Sequence, residues 1–85
     1  MLKCPICGNY EFAKENDFDI CDICGWENDG IQATDHDYDG GANWLSVNQA
    51  RDNYLRYGII MTEKDIEEQE SFYKAHIAPD GTWIQ

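Results

Sequence analysis

An α+β fold is what this 85-residue sequence predicts, with a metal-clamped hairpin in front and two helices behind. Three observations lead there. All four cysteines fall in two short knuckles, Cys4-Pro-Ile-Cys7-Gly8 and Cys21-Asp-Ile-Cys24-Gly25. Two short runs between them alternate apolar and polar residues, the period of a half-buried strand. The second half carries two stretches of helical periodicity, each behind a capping residue. A core this small rarely supplies more than about 3–5 kcal/mol, so a further staple is expected.

In chain order, Tyr10-Glu-Phe-Ala13 and Phe18-Asp-Ile-Cys21 are the alternating runs, and Lys14-Glu-Asn-Asp17 supplies turn formers between them. That pattern predicts an antiparallel hairpin with one cysteine pair at each outer end. From Trp26 to Asn43 the sequence turns to Gly, Asp and Asn, "WENDGIQATDHDYDGGAN". This predicts an irregular acidic loop, long enough that it must be pinned or functional. Gly40-Gly41-Ala42-Asn43 lets the backbone turn into the first long helix. Ser46 with Gln49 forms a capping box, Trp44, Val47, Ala50, Tyr54 and Tyr57 share a face, and Gly58 suits the stop. Thr62 caps a second helix of about 14 residues, with Ile66, Tyr73 and Ile77 inward and Glu63, Asp65, Glu67, Glu68 and Glu70 around the rest. Pro79-Asp-Gly81 predicts a turn, and Thr82-Trp-Ile84 a short strand or a tail on the core. The chain divides as one domain, 1–85, into a zinc-ribbon-like knuckle hairpin (1–28), an acidic loop (29–45) and a helical part (46–85).

The knuckles carry the chemistry. Cys-x2-Cys lets one short turn offer two sulfurs to the same ion. Gly8 and Gly25 permit the tight backbone whose N–H groups can point at sulfur. Four thiolates leave no open position, as a structural zinc site requires. No run has signal-peptide or membrane-spanning character, which places the chain in the cytoplasm, where disulfides are rare. Cys4, Cys7, Cys21 and Cys24 are therefore assigned to one structural zinc per chain. The same cage suits iron: rubredoxins hold it in similar Cys-Pro-x-Cys-Gly knuckles and are acidic, though their pairs stand farther apart in sequence. Rubredoxin-like electron transfer is the alternative. A dithiol redox role for Cys4 and Cys7 lacks the βαβ scaffold it needs and leaves Cys21 and Cys24 over.

Charge narrows the partners. The chain has 17 acidic and 6 basic residues, a formal net charge of -11. Residues 15–50 contain no Lys or Arg at all. Such a surface repels nucleic-acid phosphates and anionic membranes, so the expected partner is a basic protein, attracted mainly through association rate and salt dependence. Trp26, Glu27, Asp29, Asp35, Asp37 and Asp39 are the candidate interaction residues. Trp26 covers the metal site or anchors the partner, a role in which Trp is enriched. Asp35-His-Asp-Tyr-Asp39-Gly40 imitates half of a calcium loop, but Ser46 stands where the closing Glu belongs. His36 reads as solvated, and His76 as a helix-end residue favoured by the dipole. No catalytic residue is assigned; a small hydrolase using the acidic loop and a second metal remains a further alternative.

The blocks "CPICGN", "CDICGWENDGIQ" and "DYDGGANWLSVNQAR" together resemble the bacterial cysteine-rich CPCC domain family. Its pattern looks like Cys-Pro-Cys-Cys-Gly, then Cys-x-x-Cys-x-Trp-Glu-x-Asp, then Gly-Gly-Ala-Asn-x-x-Ser-Leu-x-x-Ala-Arg. The resemblance runs from Cys4 to Arg51. It puts Cys4, Cys7, Cys21 and Cys24 on the cysteines that look like ligands, and Trp26, Glu27, Asp29, Gly40, Gly41, Asn43, Ser46 and Arg51 on other signature positions. Ile6 stands at the middle cysteine, so four thiols suffice for the metal. The resemblance implies a small bacterial zinc-binding protein and brings no established activity. Its association with toxin and immunity neighbourhoods, joined to the charge, leads to the expected function. That function is a non-catalytic interaction module, in its concrete form an immunity protein covering the cationic cleft of a nuclease toxin.

Overall fold

The computed structural model describes residues 2–77 and 82. Two short strands, β1 (Leu2–Lys3) and β2 (Glu11–Phe12), precede three helices, α1 (Gly30–Thr34), α2 (Val47–Tyr57) and α3 (Glu63–His76). The α+β class holds. No helix among the described residues is long and apolar enough to cross a membrane.

The N-terminal hairpin forms, but around the first knuckle rather than between the knuckles. Leu2 pairs with Phe12 and Lys3 with Glu11 in antiparallel register. Ile20 likewise bridges Glu27 across the second knuckle. The cause is local. Each Cys-x2-Cys turn reverses the chain within a few residues, marked by Gly8 N–H to Cys4 C=O at 3.0 Å and Gly25 N–H to Cys21 C=O at 2.9 Å. The flanking segments meet with little loop-closure entropy left to pay. The intended turn, residues 14–17, becomes a link between two small hairpins. Asp17 shapes it by accepting from Asp19 N–H at 3.0 Å and from Asn28 Nδ2 at 2.7 Å. Asn16 and Phe18 take left-handed backbone there, with φ of 54° and 56°.

The stretch expected to be irregular contains α1. Asp29 caps it, its carboxylate accepting from Ile31 N–H and Gln32 N–H. Five helical residues are too few for a periodicity signal to show.

Both long helices lie where expected. Ser46 and Gln49 close a capping box on α2, and Gly58 ends it in left-handed backbone at φ 73°. Thr62 and Asp65 do the same for the 14-residue α3. Asn53 ties the two together, donating to Ile60 C=O at 3.1 Å and to Asp65 Oδ2 at 3.0 Å. Packing departs from expectation in two places. Tyr57 is exposed, and α3 has no buried residue, with Ile66 43% exposed. Tyr73, expected inward, does pack, and it lies with Phe72 against Trp44, ring centroids 6.2 and 5.3 Å away. Ile77 is the C-cap of α3. The expected turn at residues 79–81 and the 82–84 segment beyond Thr82 lie outside the described residues.

The core is Cys4, Ile6, Phe12, Cys21, Trp26, Leu45, Val47 and Ala50. One cysteine from each knuckle is thus part of the hydrophobic centre, and the candidate metal site is built into the core.

Candidate metal centre

The four cysteines converge. All four Sγ atoms lie within 4.8 Å of one another. Cys4 and Cys24 are 3.5 Å apart, and Cys7 and Cys21 are 3.6 Å apart. A tetrahedron with metal–sulfur bonds of about 2.3 Å has sulfur–sulfur edges of about 3.8 Å. The thiols are unbonded to each other, far outside the roughly 2.05 Å of a disulfide. Each close pair draws one sulfur from each knuckle, so a single cation placed among them would join the two halves.

The backbone is prepared for negative sulfur. Asn9 N–H donates to Cys7 Sγ at 3.5 Å, and Ile23 and Cys24 N–H both donate to Cys21 Sγ at 3.4 Å. Gly8 and Gly25, with φ of 70° and 86°, make the turns that aim these amides, conformations that a Cβ disfavours. Burial pushes the Cys4 thiol up against backbone donors from Cys7 and Ile6. Burial also raises Cys24, against the Trp26 amide. At Cys21 burial opposes ionisation too, but the Cys24 and Ile23 amides and the Cys7 thiol outweigh it and hold that group low. Thiols this close cannot all ionise unaided. A bound divalent cation deprotonates coordinating thiols outright. The donor set and amide pattern therefore fit a tetrathiolate metal, with no position left for a substrate.

Two contacts brace the centre. Arg51 on α2 donates Nε and Nη2 to the Pro5 carbonyl at 3.0 and 2.6 Å, gripping the first knuckle from the far half of the chain. The Tyr10 hydroxyl donates to Asp19 Oδ2 at 2.8 Å, tying the exit of the first knuckle to the entry of the second. That bond to Asp19 pushes Tyr10 up to about 12. Because the folded value lies above the unfolded one near 10, the bond stabilises the fold fully below about pH 10 and is lost as pH rises towards 12. A phenolate absorbance titration should show one tyrosine lagging the rest, and Asp19→Asn should remove the lag.

The remaining signature residues build a platform beside the metal. Trp26 is 1% exposed and Asp29 7% exposed, which removes both from the candidate contact surface and leaves Trp26 the other role expected of it, packed in the core with Cys4 and Cys21. Asp29, besides capping α1, accepts from Ala42 N–H at 2.9 Å through its second oxygen. A Cβ on Gly41 would stand 2.6 Å from that same oxygen and 2.9 Å from Gln32 Cδ, so only glycine fits. Glu27 binds through its backbone, its N–H donating to Asn43 Oδ1 at 2.9 Å and its carbonyl accepting from Asn43 Nδ2 at 2.7 Å.

At the centre of the platform is a residue the sequence did not single out. Gln32 is 0% exposed. Its Nε2 donates to the carbonyls of Tyr38, Asn43 and Leu45 at 3.2, 3.1 and 3.1 Å. Its Oε1 accepts from Asn43 N–H and Asn43 Nδ2 at 3.1 and 2.9 Å. Only its place in the "CDICGWENDGIQ" block marked it. Asn28, equally unremarked, is buried and donates to Lys14 C=O at 2.9 Å as well as to Asp17. Among the described residues no buried side-chain nitrogen or oxygen lacks a partner.

Asp35, Asp37 and Asp39 are exposed, as expected of a solvated loop. Asp35 accepts from Asp37 N–H at 3.1 Å and Asp37 from Asn48 Nδ2 at 2.7 Å. Among the described residues the cysteines alone gather three or more potential ligands at one point. His36 Nε2 lies 3.0 Å from Ala33 C=O, and His76 Nδ1 2.8 Å from Phe72 C=O, both local helix-end contacts.

No curated protein matches the chain. The family model described as Cysteine-rich CPCC matches residues 2–74, and with nearly the whole chain inside that match the protein belongs to the cysteine-rich CPCC family.

Proposed function

We propose that this protein is a non-catalytic interaction module, held in shape by one structural zinc ion, whose acidic face binds a basic protein. The observation carrying this reading is what the signature residues do. Trp26, Asp29, Gly41, Asn43, Ser46 and Arg51 fill the core, cap helices or brace loops. None of them presents a reactive group to solvent. A tetrathiolate centre has no open coordination position. The chain carries 17 acids and 6 bases, and Asp35, Asp37 and Asp39 stand exposed beside apolar surface such as Tyr38.

The narrower reading, an immunity protein covering the cationic cleft of a nuclease toxin, draws on the same charge, with Asp35, Asp37 and Asp39 in place of phosphates. Elemental analysis should give one zinc per chain and no visible absorbance; a thiolate-to-iron band would replace zinc with iron, and more than one ion would revive a metal-dependent hydrolase. Pull-down from the native cell at low salt should retain a basic protein that elutes as ionic strength rises. The combined change Asp35→Asn, Asp37→Asn and Asp39→Asn should weaken retention by about tenfold or more, three exposed charges each contributing up to about 1 kcal/mol. Retention unaltered by those substitutions would remove the acidic loop from the interface.

A further inference from the structure

Trp44, where the platform loop enters α2, walls several clefts at once. One, of about 350 Å³, is lined by Asp39, Trp44, Gln49 and Glu68 among others. Another, of about 610 Å³, runs along α3 past Lys64, Glu67 and Glu68. We propose that the cleft bounded by Asp39, Trp44 and Glu68 receives an arginine side chain of the basic partner. This rests on the basic-partner reading above and names the chemistry at its contact point.

Three features favour guanidinium there. The indole face of Trp is the side chain most attractive to a cation, and Trp44 is only partly buried. Arg stacks its planar fork on an aromatic ring while its N–H groups pair with carboxylates. Asp39 and Glu68 supply two carboxylates, and the cleft lining includes no Lys or Arg. Lys64 lines the neighbouring cleft with Glu67 and Glu68. Among the described residues the sole ion pair is Arg56 with Asp52, neither of which lines either cleft, so neither Asp39 nor Glu68 is committed to an ion pair within the chain.

The cleft is also prepared in advance. The Trp44 carbonyl accepts from Gly40 N–H at 3.2 Å, and the flanking Asn43 and Leu45 carbonyls both accept from Gln32. The indole rests against Phe72 with ring centroids 5.3 Å apart. The indole and the backbone around it are thus fixed before a partner arrives, so that wall of the cleft adds little ordering cost to binding.

The test uses the metal-loaded full chain, labelled with nitrogen-15, at low ionic strength. The probe is the capped peptide acetyl-Gly-Arg-Gly-amide, with its citrulline counterpart as an uncharged isostere. The Trp44 indole N–H resonance, assigned with Trp44→Phe, should move on titration with the arginine peptide and stay still with citrulline. Glu68→Gln and Asp39→Asn should each weaken binding by about fivefold, the upper end for a solvent-exposed ion pair. Glu70→Gln removes the same charge from the same helix outside these clefts and should change it by less than about twofold. Equal weakening by Glu70→Gln, or shifts that bypass Trp44, would overturn the arginine site. Retention on immobilised polyarginine separates the two levels: retention with a silent Trp44 sinks the cleft and keeps the basic-partner reading. No retention sinks both.

Discussion

Stripping the metal is expected to unfold the protein, with the larger effect of any single perturbation. Structural zinc binding contributes about 10–16 kcal/mol in small thiolate sites, against the roughly 5–15 kcal/mol that separates a folded domain from its unfolded chain. Here the comparison applies with force, because Cys4 and Cys21 are themselves core residues beside Ile6, Phe12 and Trp26. Without a cation the knuckles present crowded, partly buried thiols in place of a cross-link between two hairpins. Neither hairpin has enough strand to stand alone: one is two residues deep and the other a single bridge. A strong chelator under reducing conditions should abolish the near-ultraviolet signal of Trp26 and the spread of backbone amide resonances. Returning zinc should restore both, and Cys21→Ser should resemble the chelated protein. An apoprotein that kept its amide dispersion would show that the core stands without the ion.

Replacing Gln32 with Leu is expected to cost about 4 kcal/mol, close to the whole stability of a small domain. Leu fills nearly the same volume, so the loss is almost purely polar. The carbonyls of Tyr38, Asn43 and Leu45 would lose their donor. The Asn43 backbone N–H would lose its acceptor, while Asn43 Nδ2 would keep only the Glu27 carbonyl. Each buried group left unpaired costs about 1–3 kcal/mol. Chemical denaturation of the metal-loaded protein measures the change. Ile31→Ala, at the adjacent exposed position, should stay within about 0.5 kcal/mol. A Gln32→Leu midpoint equal to that control would mean the platform is held by other contacts.

Helix starts, helix stops and metal ligands were legible because each rests on chemistry contained in a few neighbouring residues. Ser46 with Gln49, Thr62 as the next cap, Gly58 as a stop and the paired Cys-x2-Cys motifs all act locally. What escaped was set by partners distant in sequence. Gln32 reads as an ordinary loop glutamine until residues 38–45 fold over it. Asp29 looks like surface chemistry at the edge of an acidic loop, yet Ala42 N–H claims it, and of the two roles open to Trp26 the core takes the inward one. The strand pairing went astray because each knuckle, pinned by its Gly8-to-Cys4 or Gly25-to-Cys21 backbone bond, reverses the chain and brings its own flanks together. Residues 14–17 are left as a link between the two hairpins. Of the inner face assigned to α3, Tyr73 packs on Trp44 as expected, whereas Ile66 stays exposed because ring contacts from Phe72 and Tyr73, not aliphatic burial, hold that helix.

The grip of Asn43 on Glu27 bears on how any other molecule can approach. In the Ile20–Glu27 bridge the ladder bonds run through the neighbours, Cys21 N–H to Trp26 C=O and Asn28 N–H to Asp19 C=O. The amide and carbonyl of Glu27 therefore point away from that ladder, an invitation to strand addition. Asn43 answers both with its side-chain amide, a counterfeit peptide bond occupying the berth. Aggregation by edge stacking is shut off there, and so is β-augmentation by a visiting chain. Recognition at this edge must be read from side chains.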